Sequence, residues 1–283
     1  MPADTPDNFA TRRIAVLGAG NMGSALVGGL VAAGHSPTAL IVADPGDAAR
    51  RHAGERFGVT VTADTAQALL GAELAVLAVK PQTLPSLVPE LAPLLTSADA
   101  PPALLSVAAG VTTDRLARWA GDVEIYRAMP NTPAVIGAGI SGAYGGSAPG
   151  PRRGLVDYVL AAVGEVVWLE READFDALTA LSGSGPAYVF ALAEAMAAGG
   201  VSLGLAPALA RQLAETTVAG AGRLLAGSGD DAATLRARVT SPGGTTAAAL
   251  ERFESLGFQA VVTAAMEAAA RRSHELGTAT GET

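Results

Sequence analysis

The chain has 283 residues, no cysteine and a formal net charge of −8, and 49% of its residues are hydrophobic. This length suits two domains of ordinary size, and the lack of cysteine excludes a disulfide framework and a thiolate nucleophile. The negative charge and the scattered basic residues disfavour a broad surface for nucleic acid or anionic membranes, so any anionic ligand must be held locally.

The first residues, 1–11, are polar and lack the basic and apolar segments of a signal peptide. No apolar run in the sequence is long enough to cross a bilayer. These features predict a cytoplasmic protein. We expect residues 1–11 and 277–283 to be flexible tails.

A glycine-rich sequence lies between a predicted apolar strand at residues 13–17 and a predicted helix at residues 24–33. It reads Gly18-Ala19-Gly20-Asn21-Met22-Gly23. This is the G-x-G-x-x-G pattern in the strand–turn–helix context of a dinucleotide-binding motif. Its first glycine permits a tight turn, the second admits the pyrophosphate close to the backbone, and the third lets the helix pack on the strand. The sequence therefore predicts a dinucleotide site here.

Asp44 ends a second predicted strand, at residues 40–43. An acidic side chain at this position accepts hydrogen bonds from both hydroxyls of the adenosine ribose, which favours NAD and repels a 2′-phosphate. Arg50 and Arg51 follow soon after. The sequence leaves open whether they fold back to a phosphate or face solvent on the next helix.

Further strands are predicted at residues 59–62, 74–79, 104–107, 123–128, 140–144 and 165–169, and residues 149–154 form the loop and helix start between the last two. Strands that alternate with helices predict a mostly parallel, doubly wound sheet. Ligands bind such sheets at the carboxyl ends of the strands. The loops there read A-V-K-P, A-A-G and M-P-N-T-P.

Lys80 lies in the first of these loops and is the only lysine in the chain, beside eighteen arginines. A compact ammonium and a planar guanidinium are not interchangeable where a point charge must fit. We therefore predict a function for Lys80 on the cofactor rim, the alternative being a lysine retained by chance on a solvated strand end. Asn131, in the third loop, is either a cofactor contact or a turn former between two prolines.

The sequence changes character after residue 170, where strand-like alternation gives way to helical patterns rich in alanine and leucine. Helices are predicted at residues 175–181, 186–199, 207–225, 232–239, 242–254 and 258–276. Helices of this composition have wider apolar faces than roughly 110 residues can bury alone, so we expect a partner subunit.

A sequence of small residues opens the second of these helices. It reads Ser182-Gly183-Ser184-Gly185-Pro186. We interpret it as a helix-opening turn. Its role is either close packing at an interface or forming a wall of the substrate pocket.

A second glycine-rich turn, at residues 239–249, reads V-T-S-P-G-G-T-T-A-A-A. We predict Ser241 as an N-cap and Pro242 as the first helical residue, with Gly243 and Gly244 allowing a ligand to approach the backbone. Unpaired N–H groups and the helix dipole make such a turn a seat for a small carboxylate. The alternative is an ordinary helix start.

Six motifs occur in order along the chain: G-A-G-N-M-G, A-V-K-P, A-A-G-V-T, R-A-M-P-N-T-P, L-S-G-S-G-P-A-Y and V-T-S-P-G-G-T-T-A-A-A-L. Together they resemble the pyrroline-5-carboxylate reductase family over residues 12–276. The resemblance implies an α/β fold, with an N-terminal Rossmann-type domain at residues 12–170 and an all-α C-terminal dimerisation domain at residues 171–276. It also implies reduction of L-1-pyrroline-5-carboxylate to L-proline with NADPH or NADH, by a homodimer that can assemble further into rings.

The resemblance, together with the motifs described above, implies residue roles. The cofactor would contact Gly18, Ala19, Gly20, Asn21, Met22, Asp44, Val79, Lys80, Ala109, Gly110, Asn131 and Glu172. The substrate would contact Ser241, Gly243, Gly244, Thr245 and Thr246. Thr246, Ser241 and Lys80 would be the catalytic residues, with Thr246 facing the ring nitrogen, and no metal is expected. The active site would lie where the helical domain of one subunit meets the nucleotide domain of another.

The chemistry of a cyclic imine that carries a carboxylate agrees with these residues. Its anion must be seated, its C=N carbon must face the nicotinamide, and its nitrogen must be protonated or hydrogen-bonded, while the cofactor supplies the hydride. Orientation and one hydroxyl at the nitrogen suffice. His35, His52 and His274 have no motif context that marks a proton donor.

Two other functions fit the same fold. A β-hydroxyacid dehydrogenase would use a lysine on a helix of its second domain, and this chain has no lysine after Lys80. A nucleotide-sensing protein without turnover would have little need of the S-P-G-G-T-T turn. Both are weaker interpretations than the reductase.

Overall fold

The computed structural model describes residues 9–97, 100–146 and 150–279. Its strands are β1 Ile14–Leu17, β2 Leu40–Ala43, β3 Thr60–Thr62, β4 Leu74–Leu77, β5 Ala103–Ser106, β6 Ile125–Met129, β7 Gly139–Tyr144 and β8 Gly164–Trp168. Its α-helices are α1 Asn21–Ala32, α2 Asp47–Phe57, α3 Thr65–Leu69, α4 Leu84–Ser97, α5 Thr113–Ala120, α6 Arg153–Ala161, α7 Phe175–Leu178, α8 Gly185–Ser202, α9 Pro207–Ser228, α10 Ala232–Arg238, α11 Thr245–Ser255 and α12 Phe258–Ala279.

The eight strands form one sheet in the order β3-β2-β1-β4-β5-β6-β7-β8. All neighbouring strands are parallel except β6 and β7, which are antiparallel. Strands β2 and β3 lie on one side of β1, and β4 and the later strands lie on the other, which places a topological switch point beside the glycine-rich loop. The predicted doubly wound, mostly parallel sheet is confirmed.

Both faces of the sheet are covered, and successive residues of β1 contribute to opposite faces. Ile14 and Val16 belong to one apolar cluster, which also contains residues of α1 and α6, whereas Ala15 and Leu17 belong to the other, with residues of α4 and α5. All four residues of the strand are buried. A strand buried on both faces reads as a continuous apolar run, which explains why the sequence revealed these strands.

The chain forms two compact units, one up to Gly183 together with the segment from Ala269 onward, and the other from Ser184 to Ala268. The predicted domain boundary, after residue 170, lies just beyond the end of β8 and before the boundary between the two units, which follows Gly183. Helix α7 and the end of α12 therefore belong to the sheet unit, although sequence patterns placed them in the helical domain.

The predicted tails lie partly outside the described residues, at residues 1–8 and 280–283. The inner part of each predicted tail is helical: Phe9–Thr11 form a 3₁₀ segment, and α12 continues to Ala279. The ring of Phe9 packs against that of Tyr158, with 5.5 Å between the centroids. The Gly277 carbonyl accepts a hydrogen bond from Arg115 Nη1 at 3.1 Å. These contacts explain why both elements extend beyond the predicted boundaries.

The helical unit exposes much of its apolar surface. Within residues 184–268, the buried hydrophobic residues are Ala210 and Ala214, both on α9. Large apolar side chains are exposed on α8, α9, α11 and α12, among them Phe190 at 63%, Leu224 at 55% and Val261 at 64%. An apolar surface of this extent marks an association face. The unit thus has the surface that the sequence predicted for a partner subunit.

His35 is a buried titratable group in the sheet unit, 1% exposed, with Nδ1 3.3 Å from the Tyr158 hydroxyl. Burial lowers its pKa below 6.5, although a backbone hydrogen bond with Arg12 opposes the change. Because the unfolded chain then binds a proton more readily than the folded chain, stability is complete above pH 6.5 and decreases as the pH falls toward the lowered folded-state pKa.

We therefore expect acidification from pH 7.5 to 5.5 to lower the melting temperature of the wild-type protein more than that of a His35→Gln variant. Thermal melts followed by circular dichroism over this pH range would measure the difference. His52 is exposed on α2, so His52→Gln provides the control and should keep the wild-type pH dependence. Equal pH dependence in all three proteins would contradict the assignment to His35.

Candidate active site

The glycine-rich loop joins β1 to α1, which begins at Asn21. Gly18 has φ +109°, and a Cβ there would lie 2.7 Å from the Ala78 carbonyl oxygen. A Cβ on Gly23 would lie 2.0 Å from the Gly18 carbonyl oxygen, whereas one on Gly20 would meet no atom within 4 Å. The fold therefore requires the first and third glycines, and the second leaves free space over the loop.

The start of α1 offers its backbone N–H groups on the open side of this loop. No side chain caps the helix at Gly20, and a cavity of about 670 Å³ is lined in part by Ala19, Gly20 and Asn21. Met22 packs its side chain against the core, so its backbone remains the part that can face a ligand. An uncapped helix N-terminus with room for an anion fits a pyrophosphate.

Asp44 follows β2 and is hydrogen-bonded to the glycine-rich loop. Its Oδ2 accepts the Ala19 N–H at 2.8 Å, and its Oδ1 accepts the Gly46 N–H at 2.8 Å. Arg50 folds back over this turn and donates Nη1 to the carbonyl oxygens of Asp44 at 2.7 Å and Pro45 at 2.8 Å. Arg50 therefore takes neither of the two positions considered from the sequence, since it binds the carbonyl groups of the turn, whereas Arg51 is exposed.

Lys80 lies just beyond β4, on the edge of the sheet that also carries the glycine-rich loop. The Ala78 N–H donates to the Leu17 carbonyl at 2.8 Å, which places the A-V-K-P loop beside the end of β1. Lys80 is exposed and precedes a 3₁₀ segment at Pro81–Thr83. Val79 is half-buried against the core. Among the residues that the structure describes, the Lys80 ammonium has no ion-pair partner and is free to meet a ligand.

Glu172 is hydrogen-bonded to the start of α5. Its carboxylate accepts the Thr113 N–H at 2.8 Å, the Thr113 hydroxyl at 2.7 Å and Arg127 Nη1 at 3.0 Å. A carboxylate at a helix N-terminus is favoured by the helix dipole. Glu172 thus holds the end of the A-A-G-V-T loop, in which Ala109 is exposed and Gly110 has φ +77°.

Arg127 is the ion-pair partner of Glu172, and the sequence reasoning missed it. It is 6% exposed, it pairs with Glu172, and its guanidinium lies 4.0 Å from the centroid of the Phe175 ring. The signal was an arginine inside an otherwise apolar strand, within R-A-M-P-N-T-P. A cavity of about 370 Å³ adjoins this pair and is also lined by Gly110 and His274.

Asn131 connects two segments through its side chain. Its Nδ2 donates to the Ser182 carbonyl at 3.3 Å and its Oδ1 accepts the Ile140 N–H at 3.0 Å. Asn131 also precedes the 3₁₀ segment Thr132–Ile136. These bonds fit the turn-former alternative. A cofactor contact by Asn131 remains a prediction.

Residues 182–186 open a helix as predicted, with Ser184 as the N-cap of α8. Thr179–Gly183 form a single π-helical turn that runs from α7 toward α8, which begins at Gly185. The π-helical turn before α8 was not predicted from the sequence. Such π-turns occur frequently at functional sites.

The S-P-G-G-T-T turn also differs from the prediction. Ser241 is not the N-cap and Pro242 is not the first helical residue, since α11 begins at Thr245 with Gly244 as its N-cap. Gly243 has φ +68°, and the Gly244 N–H donates to the Ser241 carbonyl at 3.0 Å. Because Gly243 is left-handed, residues 241–244 form a turn, and α11 begins at Thr245, three residues later than predicted.

The corrected geometry keeps the helix N-terminus open. No side chain caps α11 at Gly244, and Ser241, Gly243 and Thr245 are exposed while Thr246 is half-buried. The first N–H groups of this helix are therefore available to a small carboxylate.

The predicted site residues divide between the two units. All predicted cofactor-binding residues belong to the sheet unit, whereas the five predicted substrate-binding residues belong to the helical unit. Among the described residues, no group of histidine, aspartate and glutamate could hold a metal ion. Across the same ranges, none of the helices has the length and apolar character needed to span a bilayer.

Two family models match the chain. The model for pyrroline-5-carboxylate reductase dimerisation matches residues 172–276. The model for NADP oxidoreductase, coenzyme F420-dependent, matches residues 13–110. The second match contains the glycine-rich loop, Asp44 and Lys80, and the first contains the S-P-G-G-T-T turn.

Known proteins resemble the chain over nearly its whole length. The pyrroline-5-carboxylate reductase of Pseudomonas aeruginosa is 40% identical over 97% of this chain and 100% of its own. A pyrroline-5-carboxylate reductase structure from Coxiella burnetii has 36% identity and a TM-score of 0.89, covering 94% of this chain and 98% of its own. The Plasmodium falciparum pyrroline carboxylate reductase, solved with NADP bound, has 27% identity and a TM-score of 0.79, covering 95% and 99%. The chain belongs to the pyrroline-5-carboxylate reductase family.

Proposed function

We propose that this protein reduces L-1-pyrroline-5-carboxylate to L-proline with NADPH or NADH, the last step of proline biosynthesis. The observation that carries the proposal is the presence of two uncapped helix N-termini opened by glycine, at α1 and at α11, in a member of this family. One fits a pyrophosphate and the other fits the carboxylate of a small substrate.

The cofactor residues in this proposal are those of the sheet unit. Gly18, Ala19, Gly20, Asn21 and Met22 form the loop that binds the pyrophosphate, and Asp44, which accepts the Ala19 N–H, binds the adenosine ribose. Val79, Lys80, Ala109, Gly110 and Asn131 line the nicotinamide side. Glu172 acts there by holding the A-A-G-V-T loop through Thr113, as its three hydrogen bonds suggest.

The substrate residues are those of the α11 turn. Gly243 and Gly244 let the carboxylate approach the turn, and the N–H groups of Thr245 and Thr246 seat it, together with the hydroxyls of Ser241 and Thr245. The Thr246 hydroxyl hydrogen-bonds the ring nitrogen and orients the C=N bond. A bound nicotinamide supplies the hydride. The protein contributes position and one hydroxyl, because an imine nitrogen is basic enough to arrive partly protonated.

Assembly and location belong to the same proposal. The exposed apolar helices from Phe190 to Val261 fit a homodimer, which can assemble further into a ring, with a site shared between subunits. Functionally, we propose a nucleotide domain at residues 12–170 and a dimerisation domain at 171–276, and the dimerisation match at 172–276 supports this division. Light scattering at micromolar concentration tests the dimer, and fractionation tests the proposed cytoplasmic location.

The activity is tested by mixing the protein with pyrroline-5-carboxylate and either NADH or NADPH. We expect loss of the reduced-nicotinamide absorbance and formation of an equal amount of proline. A β-hydroxyacid dehydrogenase would instead oxidise its hydroxy acid with NAD(P). Absence of reaction with either reduced nucleotide would leave a nucleotide-sensing protein or another substrate.

Lys80 provides a second test. We expect Lys80→Ala to lower kcat/KM roughly 10-fold or more, and Lys80→Arg to restore activity only in part, because a guanidinium does not replace a compact ammonium. Steady-state kinetics with both substrates varied would measure this. Arg118, exposed on α5, gives a charge-matched control in Arg118→Ala. Full activity of Lys80→Arg would show that the lysine is incidental.

A further inference from the structure

The A-A-G-V-T loop, residues 108–112, joins β5 to α5 and has a small, accessible tip. Ala108 and Val111 are buried in the core, which fixes the loop on either side of the tip. The tip consists of Ala109, which is exposed, and Gly110, which has φ +77°. Two residues with at most a methyl group for a side chain make few contacts of their own. The position of the tip therefore depends on what covers it.

The C-terminal part of α12, residues 273–279, covers this tip, and we call it the α12 end. A Cβ on Gly110 would lie 3.3 Å from both the N and Cα atoms of Gly277, and a Cβ on Gly277 would lie 3.4 Å from the Gly110 carbonyl oxygen. The two glycines thus bring backbone against backbone, with no side chain between them. Movement of the α12 end would uncover the loop tip.

Side chains of the sheet unit hold the α12 end in place. Asp176, on α7, accepts the Ser273 hydroxyl through Oδ1 at 2.7 Å, and its Oδ2 lies 3.2 Å from His274 Nδ1. Arg115, on α5, donates Nη1 to the Gly277 carbonyl at 3.1 Å. All of these residues belong to the same compact unit. Because the end of a terminal helix frays unless it is docked, these bonds keep the α12 end on the loop.

Asp176 is attached to a well-packed part of the sheet unit. The neighbouring Phe175 is buried, and its ring centroid lies 4.0 Å from the Arg127 guanidinium. Glu172, four residues before Asp176, binds Thr113 at the end of the loop. The segment 172–176 therefore holds the loop twice, directly through Glu172 and indirectly through Asp176 and the α12 end.

We infer that the α12 end is a positioning element for the nicotinamide ring, and that Asp176 and Ser273 are positioning residues. The inference rests on the proposed function, in which Ala109 and Gly110 line the nicotinamide side of the cofactor site. Hydride transfer requires the nicotinamide and the imine to be aligned, and a displacement of about 1 Å can lower the rate about 100-fold. Asp176 and Ser273 touch neither reactant and act through the loop tip.

Asp176→Ala tests the inference in the whole protein, because it removes the bonds of α7 to Ser273 and His274. We expect the single-turnover rate of hydride transfer to fall roughly 10-fold, and the affinity for the reduced nucleotide to fall about 3-fold to 10-fold. The affinity for the same nucleotide without its nicotinamide ring, ADP-ribose or its 2′-phosphate, should stay within about 2-fold of wild type. Its remaining groups contact the glycine-rich loop and Asp44 in the proposed site. Calorimetric titration measures both affinities.

Further variants separate positioning from stability. Asp176→Asn keeps an oxygen that accepts the Ser273 hydroxyl, so it should recover most of the lost rate. Ser273→Ala should lower the rate in the wild-type protein and should add nothing in the Asp176→Ala background, because the two residues act through one contact. Glu275→Ala is the matched control, since it removes only an exposed ion pair with Arg272 on the same helix. It should leave the rate and both affinities unchanged.

Equal losses of affinity for the nucleotide and for its fragment in Asp176→Ala would overturn the inference, because a general defect of the site would then explain them. An unchanged rate in a folded Asp176→Ala variant would also overturn it. If Asp176→Ala does not fold, Ser273→Ala decides in the same way. Absence of pyrroline-5-carboxylate turnover by the wild-type protein would refute the proposed function instead. The comparison of nucleotide with fragment would still test the α12 end, because it needs no substrate.

Discussion

Replacing Gly20 by alanine is expected to weaken dinucleotide binding roughly 10-fold to 100-fold while leaving the fold nearly intact. A Cβ at Gly20 meets no protein atom within 4 Å, and its backbone, at φ −68° and ψ −172°, suits any residue. The methyl group would instead occupy the space into which the pyrophosphate must come. Alanine is a poorer N-cap than glycine, so a loss of stability of about 0.5 kcal/mol is expected.

The corresponding change at Gly23, the third glycine of the motif, should lower the stability of the fold. A Cβ on Gly23 would lie 2.0 Å from the Gly18 carbonyl oxygen, and backbone cannot yield as a side-chain end does. We expect Gly23→Ala to cost about 3 kcal/mol, the upper part of the range for overpacking, or roughly 6–12 °C in melting temperature.

Thermal melts and nucleotide titration of both variants would separate the two effects. Gly54→Ala is the control, because Gly54 lies inside α2 and a Cβ there makes an ordinary contact at 3.6 Å with Val61 of β3. It should leave nucleotide affinity unchanged and raise the stability by about 0.5–1 kcal/mol, the usual gain of alanine over glycine in a helix. Loss of stability in Gly20→Ala equal to that in Gly23→Ala would mean that the second glycine also serves packing alone.

The parallel sheet was predictable because neighbouring residues in the sequence specify each of its strands. Strands such as β1 are covered on both faces, so they read as short apolar runs between turn residues, and the glycine spacing after β1 specifies a tight turn and then a helix. Asp44 was predictable for the same reason, since its position relative to the motif is set by one strand–helix–strand unit.

The failures came from effects that the local sequence does not encode. Ser241 and Pro242 are good residues for a helix start, yet Gly243 adopts a left-handed conformation and delays α11 to Thr245. Arg127 has its partner Glu172 at a sequence distance of forty-five residues, so the arginine inside apolar β6 does not by itself identify its partner.

The role of Glu172 is inferred from both the family resemblance and its hydrogen bonds. The resemblance placed it on the nicotinamide side, and its bonds to Thr113 and Arg127 indicate how it would act there, through the position of the loop before α5. A buried pair of this kind is costly to break, because removing one partner leaves an uncompensated charge. We therefore regard it as a positioning pair.

Replacing Thr246 by valine is expected to lower kcat roughly 100-fold with little change in nucleotide affinity. The two side chains have the same shape, so the variant removes the hydroxyl and leaves the packing of α11 unchanged. Loss of one preorganised hydrogen-bond donor at a reacting centre typically lowers turnover by about 10²–10³. Because the hydroxyl would act most strongly as charge changes at the ring nitrogen, the effect should fall on kcat more than on KM.

Thr245→Val provides the comparison within the same helical turn. If Thr245 contributes to the carboxylate seat, its loss should raise KM for pyrroline-5-carboxylate and leave kcat close to wild type, the opposite pattern to Thr246→Val. Single-turnover measurements would check that hydride transfer, and not product release, is the step affected. Unchanged kinetics for Thr246→Val would remove the hydroxyl from the mechanism and leave orientation by the α11 N-terminus as the protein's contribution.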